Sequence, residues 1–397
     1  MALKNTLQQR VLRWMARLAG SAGQAMPSPC AGLTLQMPGE RSGALPSKSR
    51  LEELKPEELT TNDLGPDPLP TPAADKPRPS EAGSEPGTEP QLKPRRAMFN
   101  RQVFSHDGER YPFNLYVPAA SDANAAMPLL VMLHGCQQDA PDFARGTAMN
   151  DSAARVPCAV LYPEQLSSAN QMRCWNWFDL AHQGRRAGEP AMLAALTRQV
   201  AARYPVDPAR IYIAGLSAGG AMAAIVAAHN PDLFAAVGVH SGLPPGAAHD
   251  VMSAFSAMRH GSRPSTSQGE AHTPLDGEPE GLMPTIVFHG SADRTVHPDN
   301  GDQIVQAALA AVKAAGVPLE RLEIPQALPA ATGEMRNTLR TVYRIPQGRS
   351  YVEYWSVEAG PHAWSGGSET GSFTDPHGPP ASQAMLDFFL QHRRVPR

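Results

Sequence analysis

A serine flanked by glycines stands where one kind of sequence pattern gives way to another. The segment from Gly215 to Gly219 reads G-x-S-x-G, directly after the apolar run 211–214 and directly before an alanine-rich stretch of helical character. Between a strand and a helix this pattern makes a sharp turn that lifts the serine hydroxyl above the sheet. The turn also directs the N–H of Ala218 towards a developing oxyanion. We therefore predict that Ser217 is a nucleophile for acyl transfer.

A nucleophilic serine needs a histidine as base and a carboxylate that orients it, and here the acid is expected before the histidine in the chain. Asp293 lies in the loop after the apolar run 285–288, and His362 follows the strand-like run 351–357. We predict that Asp293 orients the imidazole of His362, which acts as the base. Asp299 is the alternative acid, although its position favours the start of a helix. This ordered set argues against the alternative that the serine is an ordinary turn residue.

A second oxyanion donor is expected from the loop after an earlier strand. The segment 134–136 reads His-Gly-Cys and follows the apolar run 129–133. We predict that the amide of Cys136, or alternatively that of Gln137, joins the amide of Ala218 in an oxyanion hole. The histidine of the segment is assigned a structural role in holding the loop. A thiol nucleophile at Cys136 is disfavoured, because Ser217 occupies the better position.

Three aromatic residues lie close together between Cys174 and Phe178, without the spacing of a helix or a strand. We predict that Trp175 and Trp177 line an apolar cleft for an acyl group and that Trp364 joins the same wall. The alternative is that one or two of these rings pack inward.

The four cysteines stand at positions 30, 136, 158 and 174. Two of them, Cys136 and Cys174, fall in loops placed near the predicted site, but spacing alone leaves a disulfide between them open. No cluster of histidines and cysteines has zinc-ligand spacing, so we expect no metal. Three further histidines are assigned to loops or rims: His240, His289 and His297.

The elements that must position these residues are short apolar runs alternating with helical patterns. This alternation predicts an α/β fold with a mostly parallel central sheet flanked by helices, and ligands bind beyond the carboxyl ends of such strands. A hairpin across Asp107 and Gly108 precedes them. Polar stretches at 263–280 and 324–333 are predicted to be surface insertions. The strand-like runs are 129–133, 159–162, 211–214, 235–239, 285–288 and 351–357.

The chain is predicted to have three parts. Residues 1–20 have the spacing of a basic amphipathic helix, which favours either peripheral contact with a lipid or polymer surface or a short helix without a particular role. Residues 21–96 are rich in Pro, Ser, Glu and Gly, a composition typical of a disordered linker. Residues 97–397 are predicted to form one catalytic domain.

Composition excludes several classes of function. The formal net charge is −3 and no basic stripe is present, which argues against a nucleic-acid partner. No run of about 18 apolar residues occurs, so no transmembrane segment is expected. We recognise no signal peptide, which favours a cytoplasmic location while leaving the compartment open.

Taken together, the motifs resemble the esterase family of poly(3-hydroxybutyrate) depolymerases. The resemblance implies an α/β-hydrolase fold, the triad Ser217, Asp293 and His362, no cofactor, and hydrolysis of short-chain polyhydroxyalkanoate esters. Because the family's relatives include feruloyl and acetylxylan esterases, a carbohydrate-directed esterase is the alternative. A non-catalytic protein of polymer-granule surfaces is disfavoured by the complete triad. The segments that carry the resemblance are 133–136, 161–165, 174–178, 215–220, 289–293 and 360–364.

Overall fold

The computed structural model of the protein describes residues 96–119, 125–262, 282–326 and 335–394. The predicted helix over residues 1–20 and the predicted linker lie outside the described residues, apart from Arg96 at the end of the linker. Within these ranges, no helix has the length and apolar character needed to cross a bilayer.

Ten strands of the described chain form one sheet in the order β1-β2-β4-β3-β5-β6-β7-β10-β9-β8. The six strands from β4 to β10 in this order run parallel, and antiparallel strands extend the sheet at both ends. The bounds are β1 (Met98–His106), β2 (Glu109–Val117), β3 (Met127–Leu133), β4 (Ala159–Pro163), β5 (Val206–Leu216), β6 (Ala236–His240), β7 (Thr285–Gly290), β8 (Glu320–Gln326), β9 (Thr338–Arg344) and β10 (Ser350–Val357).

Seven α-helices and one short 3₁₀ helix, Leu180–His182, accompany the sheet in the described ranges. Two further short strands, β11 (Trp364–Ser365) and β12 (Thr374–Asp375), pair with each other in parallel. The helices are α1 (Ala140–Thr147), α2 (Met149–Arg155), α3 (Gly188–Arg203), α4 (Ala218–His229), α5 (Val251–His260), α6 (Asp299–Ala314) and α7 (Ala381–Phe389).

The inner strands are buried on both faces. Every residue of β3, β4, β6 and β7 is buried, as expected for parallel strands covered by helices on both sides. Successive residues of β3 belong to different apolar clusters: Leu129 and Val131 pack in one, whereas Leu130 and Met132 pack in the other. Since side chains of a strand alternate between the faces of a sheet, the two clusters lie on opposite faces.

The strand order places the site. In the sheet, β3 lies between β4 and β5, so the chain passes from β3 to the strand on one side and then crosses to the strand on the other side. This reversal is a topological switch point, where ligands bind at the carboxyl ends of strands. β5 ends at Leu216 and α4 begins at Ala218, so the predicted nucleophile is the single residue between them. This mostly parallel sheet with a strand–serine–helix turn is an α/β-hydrolase fold, as expected from the sequence.

The antiparallel extension of β8 and β9 differs from the expectation. A surface insertion is expected from residue 324, but β8 continues to Gln326 and pairs with β9. β8 carries charged residues and is an edge strand, so it lacks the continuous apolar run by which the inner strands are recognised. The side chains of residues 320–325 are exposed, including those of Leu322 and Ile324.

Candidate active site

The turn at Ser217 is strained and closely packed. Ser217 has φ 57° and ψ −121°, a conformation that costs a residue with a side chain about 1–3 kcal/mol. A Cβ atom at Gly215 would lie 2.4 Å from the carbonyl oxygen of Gly219, and one at Gly219 would lie 2.1 Å from that of Leu133. Both positions therefore require glycine, and the close approach explains the motif. The Ser217 N–H donates to the carbonyl of His240 at 2.9 Å, which fixes the turn.

Asp293 and His362 meet although 69 positions separate them in the chain. Oδ2 of Asp293 lies 2.7 Å from Nδ1 of His362. Oδ1 accepts the backbone N–H groups of Thr295 at 2.9 Å and Val296 at 2.8 Å, so the carboxylate is held at both oxygens. Because Nδ1 is engaged, Nε2 is the nitrogen of His362 that is left for a proton from a nucleophile.

The charge state of Asp293 follows from its partners. Burial acts to raise the pKa of this carboxyl, but the charge and hydrogen bond of His362, together with those of His289, outweigh it. The pKa of Asp293 is therefore well below its usual range, and the group is an anion at neutral pH. A buried anion against Nδ1 of a histidine is what holds that imidazole in one tautomer and stabilises it when it gains a proton.

The alternative acid lies elsewhere. Asp299 is the first residue of α6, as its sequence position suggests, and its side chain is largely exposed. Its carboxylate lies 3.4 Å from Nδ1 of His297 rather than beside His362. The geometry thus favours Asp293 over Asp299 as the partner of the base.

In the loop after β3, the backbone N–H groups on either side of Cys136 already have acceptors within the protein. The Gly135 N–H donates to Oε1 of Gln138 at 2.9 Å, and the Gln137 N–H donates to the carbonyl of Met172 at 2.7 Å. The Cys136 N–H between them is therefore the amide of this segment that a ligand can use. Ala218, as the first residue of α4, also has an N–H without an acceptor in its own helix.

His134 holds this loop. It is fully buried; its Nε2 accepts the N–H of Gln165 at 3.1 Å, so the proton sits on Nδ1, which donates to the carbonyl of Gly135 at 2.7 Å. Burial lowers the pKa of His134 to about 4, which keeps the ring neutral at physiological pH. The structural role expected for this histidine agrees with these contacts.

Cys136 and Cys174 form a disulfide, with 4.2 Å between their Cα atoms. The bond links the loop after β3 to residues 174–178, here called the aromatic segment. It also means that Cys136 is not a free thiol. Cys158 is a buried free thiol, and Cys30 lies outside the described residues. No group of three or more potential metal ligands occurs in the described part of the chain.

A cleft with two lobes opens at Ser217. Both lobes are lined by Ser217, Met258 and the disulfide between Cys136 and Cys174. The lining that belongs to one lobe, here called the aromatic lobe, comprises Trp177, Phe178, Ala218, Leu243, Val251, Ala254 and Val296. The lining that belongs to the other, here called the histidine lobe, comprises Gly135, Gln137, Met172, Leu216, Thr295, His362 and Phe373.

The structure corrects the expected substrate wall for two of its three tryptophans. Trp177 lines the aromatic lobe, as expected. Trp175 is fully buried, and its Nε1–H donates to the carbonyl of His134 at 3.1 Å. Trp364 is buried in the apolar cluster on the opposite face of the sheet, where its Nε1–H donates to Ser382. Both indole N–H groups therefore have acceptors within the protein, and both rings are buried.

Some residues of the site have no signal in the sequence patterns. Phe373 lines the histidine lobe, but it comes from a glycine-rich and polar stretch without the pattern of a strand or a helix. His289, assigned to a loop or rim, is instead a fully buried residue of β7 whose Nε2–H donates to Val296 at 2.9 Å. Its place at the end of an apolar run, just before Gly290, is the one local hint.

His240 and His297 have different surroundings. His240, assigned to a loop or rim from the sequence, is instead buried in β6, where Nε2 accepts the N–H of Ser365 at 3.0 Å. Burial lowers its pKa to about 3, so it is neutral and serves packing rather than proton transfer. His297 is partly exposed beside Asp299, in agreement with a rim position.

In sequence, the chain is similar to known esterases. The profile of the family described as Esterase PHB depolymerase matches residues 111–316, just over half of the chain. The chain is 35% identical over 211 residues to poly(3-hydroxyalkanoate) depolymerase C of Paucimonas lemoignei, a match that covers 52% of this chain and 47% of that protein. It is 31% identical over 196 residues to feruloyl esterase B of Neurospora crassa, covering 46% and 64% of the two chains.

Among solved structures, an acetyl xylan esterase from Aspergillus awamori superposes with a TM-score of 0.49 at 19% identity, covering 66% of this chain and 94% of that one. The matched stretches span about half of the depolymerase and less than two thirds of the feruloyl esterase.

Proposed function

The chain belongs to the Esterase PHB depolymerase family, and from that premise we propose that it hydrolyses carboxylic esters through Ser217, His362 and Asp293. The substrate class that fits best is a short-chain polyhydroxyalkanoate, as polymer or oligomer. The observation that carries this choice is the apolar character of both lobes of the cleft at Ser217.

The first half of the reaction forms an acyl-enzyme. Nε2 of His362 takes the proton of the Ser217 hydroxyl as the oxygen attacks the ester carbonyl. The ionised Asp293 stabilises the imidazolium that results, at the 2.7 Å contact with Nδ1. The N–H groups of Cys136 and Ala218 hold the negative oxygen of the tetrahedral intermediate.

Collapse of this intermediate and a second cycle complete the hydrolysis. His362 returns its proton to the departing alcohol oxygen, which leaves the acyl group on Ser217. A water molecule then attacks the acyl-enzyme, with His362 again taking a proton and giving it to the serine oxygen. The reaction thus consumes one water and yields one acid and one alcohol for each ester bond.

The two lobes correspond to the two halves of an ester. Because His362 protonates the leaving alcohol, the alcohol half belongs in the histidine lobe and the acyl half in the aromatic lobe. Among the described lining residues, the polar side chains besides Ser217 and His362 are Gln137, Thr295 and the indole N–H of Trp177, and no Asp, Glu, Lys or Arg is present. A sugar that leaves as the alcohol half of the ester needs several hydrogen-bonding partners, whereas the alkyl chain of a hydroxyalkanoate needs apolar contacts. The cleft therefore favours an ester that is apolar on both sides.

The test compares turnover of matched esters by the full-length protein. We expect kcat/KM for a 3-hydroxybutyrate trimer and for p-nitrophenyl butyrate to exceed that for an acetylated xylo-oligosaccharide and for a feruloylated arabino-oligosaccharide by at least about tenfold, since each hydroxyl buried without a partner costs on the order of 1–3 kcal/mol. Faster turnover of either carbohydrate-derived ester would overturn the substrate assignment and leave the serine mechanism standing.

A carbohydrate-directed esterase is the second candidate. It is favoured by the 31% identity to feruloyl esterase B, which extends over a larger share of that relative than the match to the depolymerase does. The same four substrates decide between the two candidates.

A further inference from the structure

We propose that Gln138 is a positioning residue of this esterase: its side-chain amide fixes the loop that presents the Cys136 N–H and ties that loop to the segment carrying Phe373. The inference rests on the proposed function, because it concerns the oxyanion donor of that reaction. Gln138 itself lines neither lobe of the cleft.

The first contact fixes the loop itself. Gln138 is 1% exposed, and its Oε1 accepts the Gly135 N–H at 2.9 Å. The carbonyl of Gly135 accepts Nδ1–H of His134 at 2.7 Å and faces the backbone N–H of Gln138 at 3.4 Å. Gly135 is therefore held on both of its backbone polar groups, with Gln138 contributing to each.

Peptide geometry carries this constraint to the oxyanion donor. The carbonyl of Gly135 and the N–H of Cys136 belong to one planar trans peptide, in which the two groups point in opposite directions. Hydrogen bonds that pin the carbonyl towards the protein interior therefore aim the Cys136 N–H away from it. Rotation of this peptide would turn the donor and would break the contacts of His134 and Gln138 together.

The other end of the amide reaches a segment far along the chain. Nε2 of Gln138 donates to the carbonyl of Ser372 at 3.0 Å and lies 3.3 Å from its Oγ and from Oδ2 of Asp142. The Ser372 N–H donates to the same carboxylate at 3.1 Å. Ser372 precedes Phe373, which lines the histidine lobe, so Gln138 bridges the oxyanion loop and the side of the cleft assigned to the leaving alcohol.

The chemistry of the contacts explains why a primary amide is needed. One end of the side chain meets an N–H and the other meets three oxygens, so an acceptor and a donor are required at a fixed separation. Methionine at this position would leave the Gly135 N–H and the Ser372 carbonyl without their partner. Glutamate would keep the acceptor but bring a second carboxylate against Asp142, whose other charged neighbour is Arg145 at 3.5 Å.

Loss of this bridge should affect the transition state more than substrate binding. The Cys136 N–H meets a full negative charge only in the tetrahedral intermediate, so a misaimed donor lowers kcat while KM changes little. Removal of an oxyanion donor costs about 10²–10³ in kcat, and a displaced donor should cost about 10- to 100-fold.

The experiment measures kcat, KM and inhibition by butylboronic acid for full-length Gln138→Met, with Gln383→Met on α7 as the matched control. The boronate adduct of a serine places an oxygen in the oxyanion hole, so its inhibition constant reports the donor directly. We expect kcat to fall about 10- to 100-fold and boronate binding to weaken by a similar factor, with KM within about threefold of that of the parent protein. The control variant should match the parent in all three.

An unchanged kcat, or a raised KM with unchanged kcat and boronate affinity, would overturn the proposal. If Gln138→Met does not fold, as judged by near-ultraviolet circular dichroism, the near-isosteric Gln138→Glu decides: it loses the donor to Ser372 and repels Asp142, so kcat and boronate affinity should again fall while KM changes little, and an unchanged kcat would overturn the proposal. Activity retained by Ser217→Ala would instead refute the proposed function, whatever the Gln138 variants do.

Discussion

The disulfide between Cys136 and Cys174 joins the loop that presents an oxyanion amide to the segment that carries Trp177 into the cleft. Both cysteines line both lobes, so the bond lies within the site rather than at its periphery. Disulfides persist in oxidising compartments. The bond can therefore hold the two segments together only where thiols are not kept reduced.

Reduction of this bond should lower activity. We expect that a phosphine reductant decreases kcat for p-nitrophenyl butyrate, because the loop with Cys136 loses its link to the aromatic segment. Loss of the bond should also cost about 2–4 kcal/mol of stability. The control is the double variant Cys136→Ser and Cys174→Ser, which should show the lower kcat from the start and no response to reductant. An equal decrease in kcat in both proteins would show that the reductant acts at a site other than this disulfide.

The assignment of the acid is tested by exchange of the two candidate aspartates for asparagine. Asp293→Asn should lower kcat by about 10⁴-fold, since the amide favours the wrong tautomer of His362 and cannot stabilise its cation. Asp299→Asn, at the exposed start of α6, is the matched control and should keep nearly full turnover. A severe loss in Asp299→Asn with a mild one in Asp293→Asn would reverse the assignment.

Acid should destabilise the protein through the same carboxylate. The pKa of Asp293 in the folded state is held below its usual range, so the unfolded chain binds a proton here more readily than the folded one. The resulting stability is present above the unfolded pKa of about 3.9 and is lost as the pH falls below it. Urea unfolding at pH 6 and pH 3 should show a larger drop for the parent protein than for Asp293→Asn. Equal drops would contradict the pKa shift.

The role of the N-terminal region can be tested by truncation. We propose that residues 1–20 act as a surface contact and that residues 97–397 suffice for catalysis. Residues 97–397 alone should turn over p-nitrophenyl butyrate at the rate of the full chain but adsorb more weakly to polymer films or lipid vesicles. Equal adsorption would remove the surface role, and loss of turnover would show that the catalytic unit extends further towards the N-terminus.

The sequence predicted the features that depend on local sterics and chain order. The need for glycine at positions 215 and 219 follows from the close approach of strand and helix. The parallel strands are recognisable in the sequence as continuous apolar runs. The meeting of Asp293 with His362 follows from the rule that both lie at the carboxyl ends of strands in one sheet.

What the sequence could not reveal depends on partners that are distant in the chain. Composition marked Trp175 and Trp364 as apolar but could not say which face of the sheet each would occupy. Gln138 finds its acceptor in Ser372, 234 positions away, so no local pattern distinguishes it from Gln137. The edge strand β8 alternates charged and apolar residues and resembles a polar insertion until its partner β9 is known.

The central claim is that Ser217 is the nucleophile, and the rate of p-nitrophenyl butyrate hydrolysis by full-length Ser217→Ala tests it most directly. We expect a loss of several orders of magnitude in kcat, on the order of 10⁶-fold, with a circular dichroism spectrum like that of the parent protein. Turnover by the folded variant within about tenfold of the parent rate would contradict it.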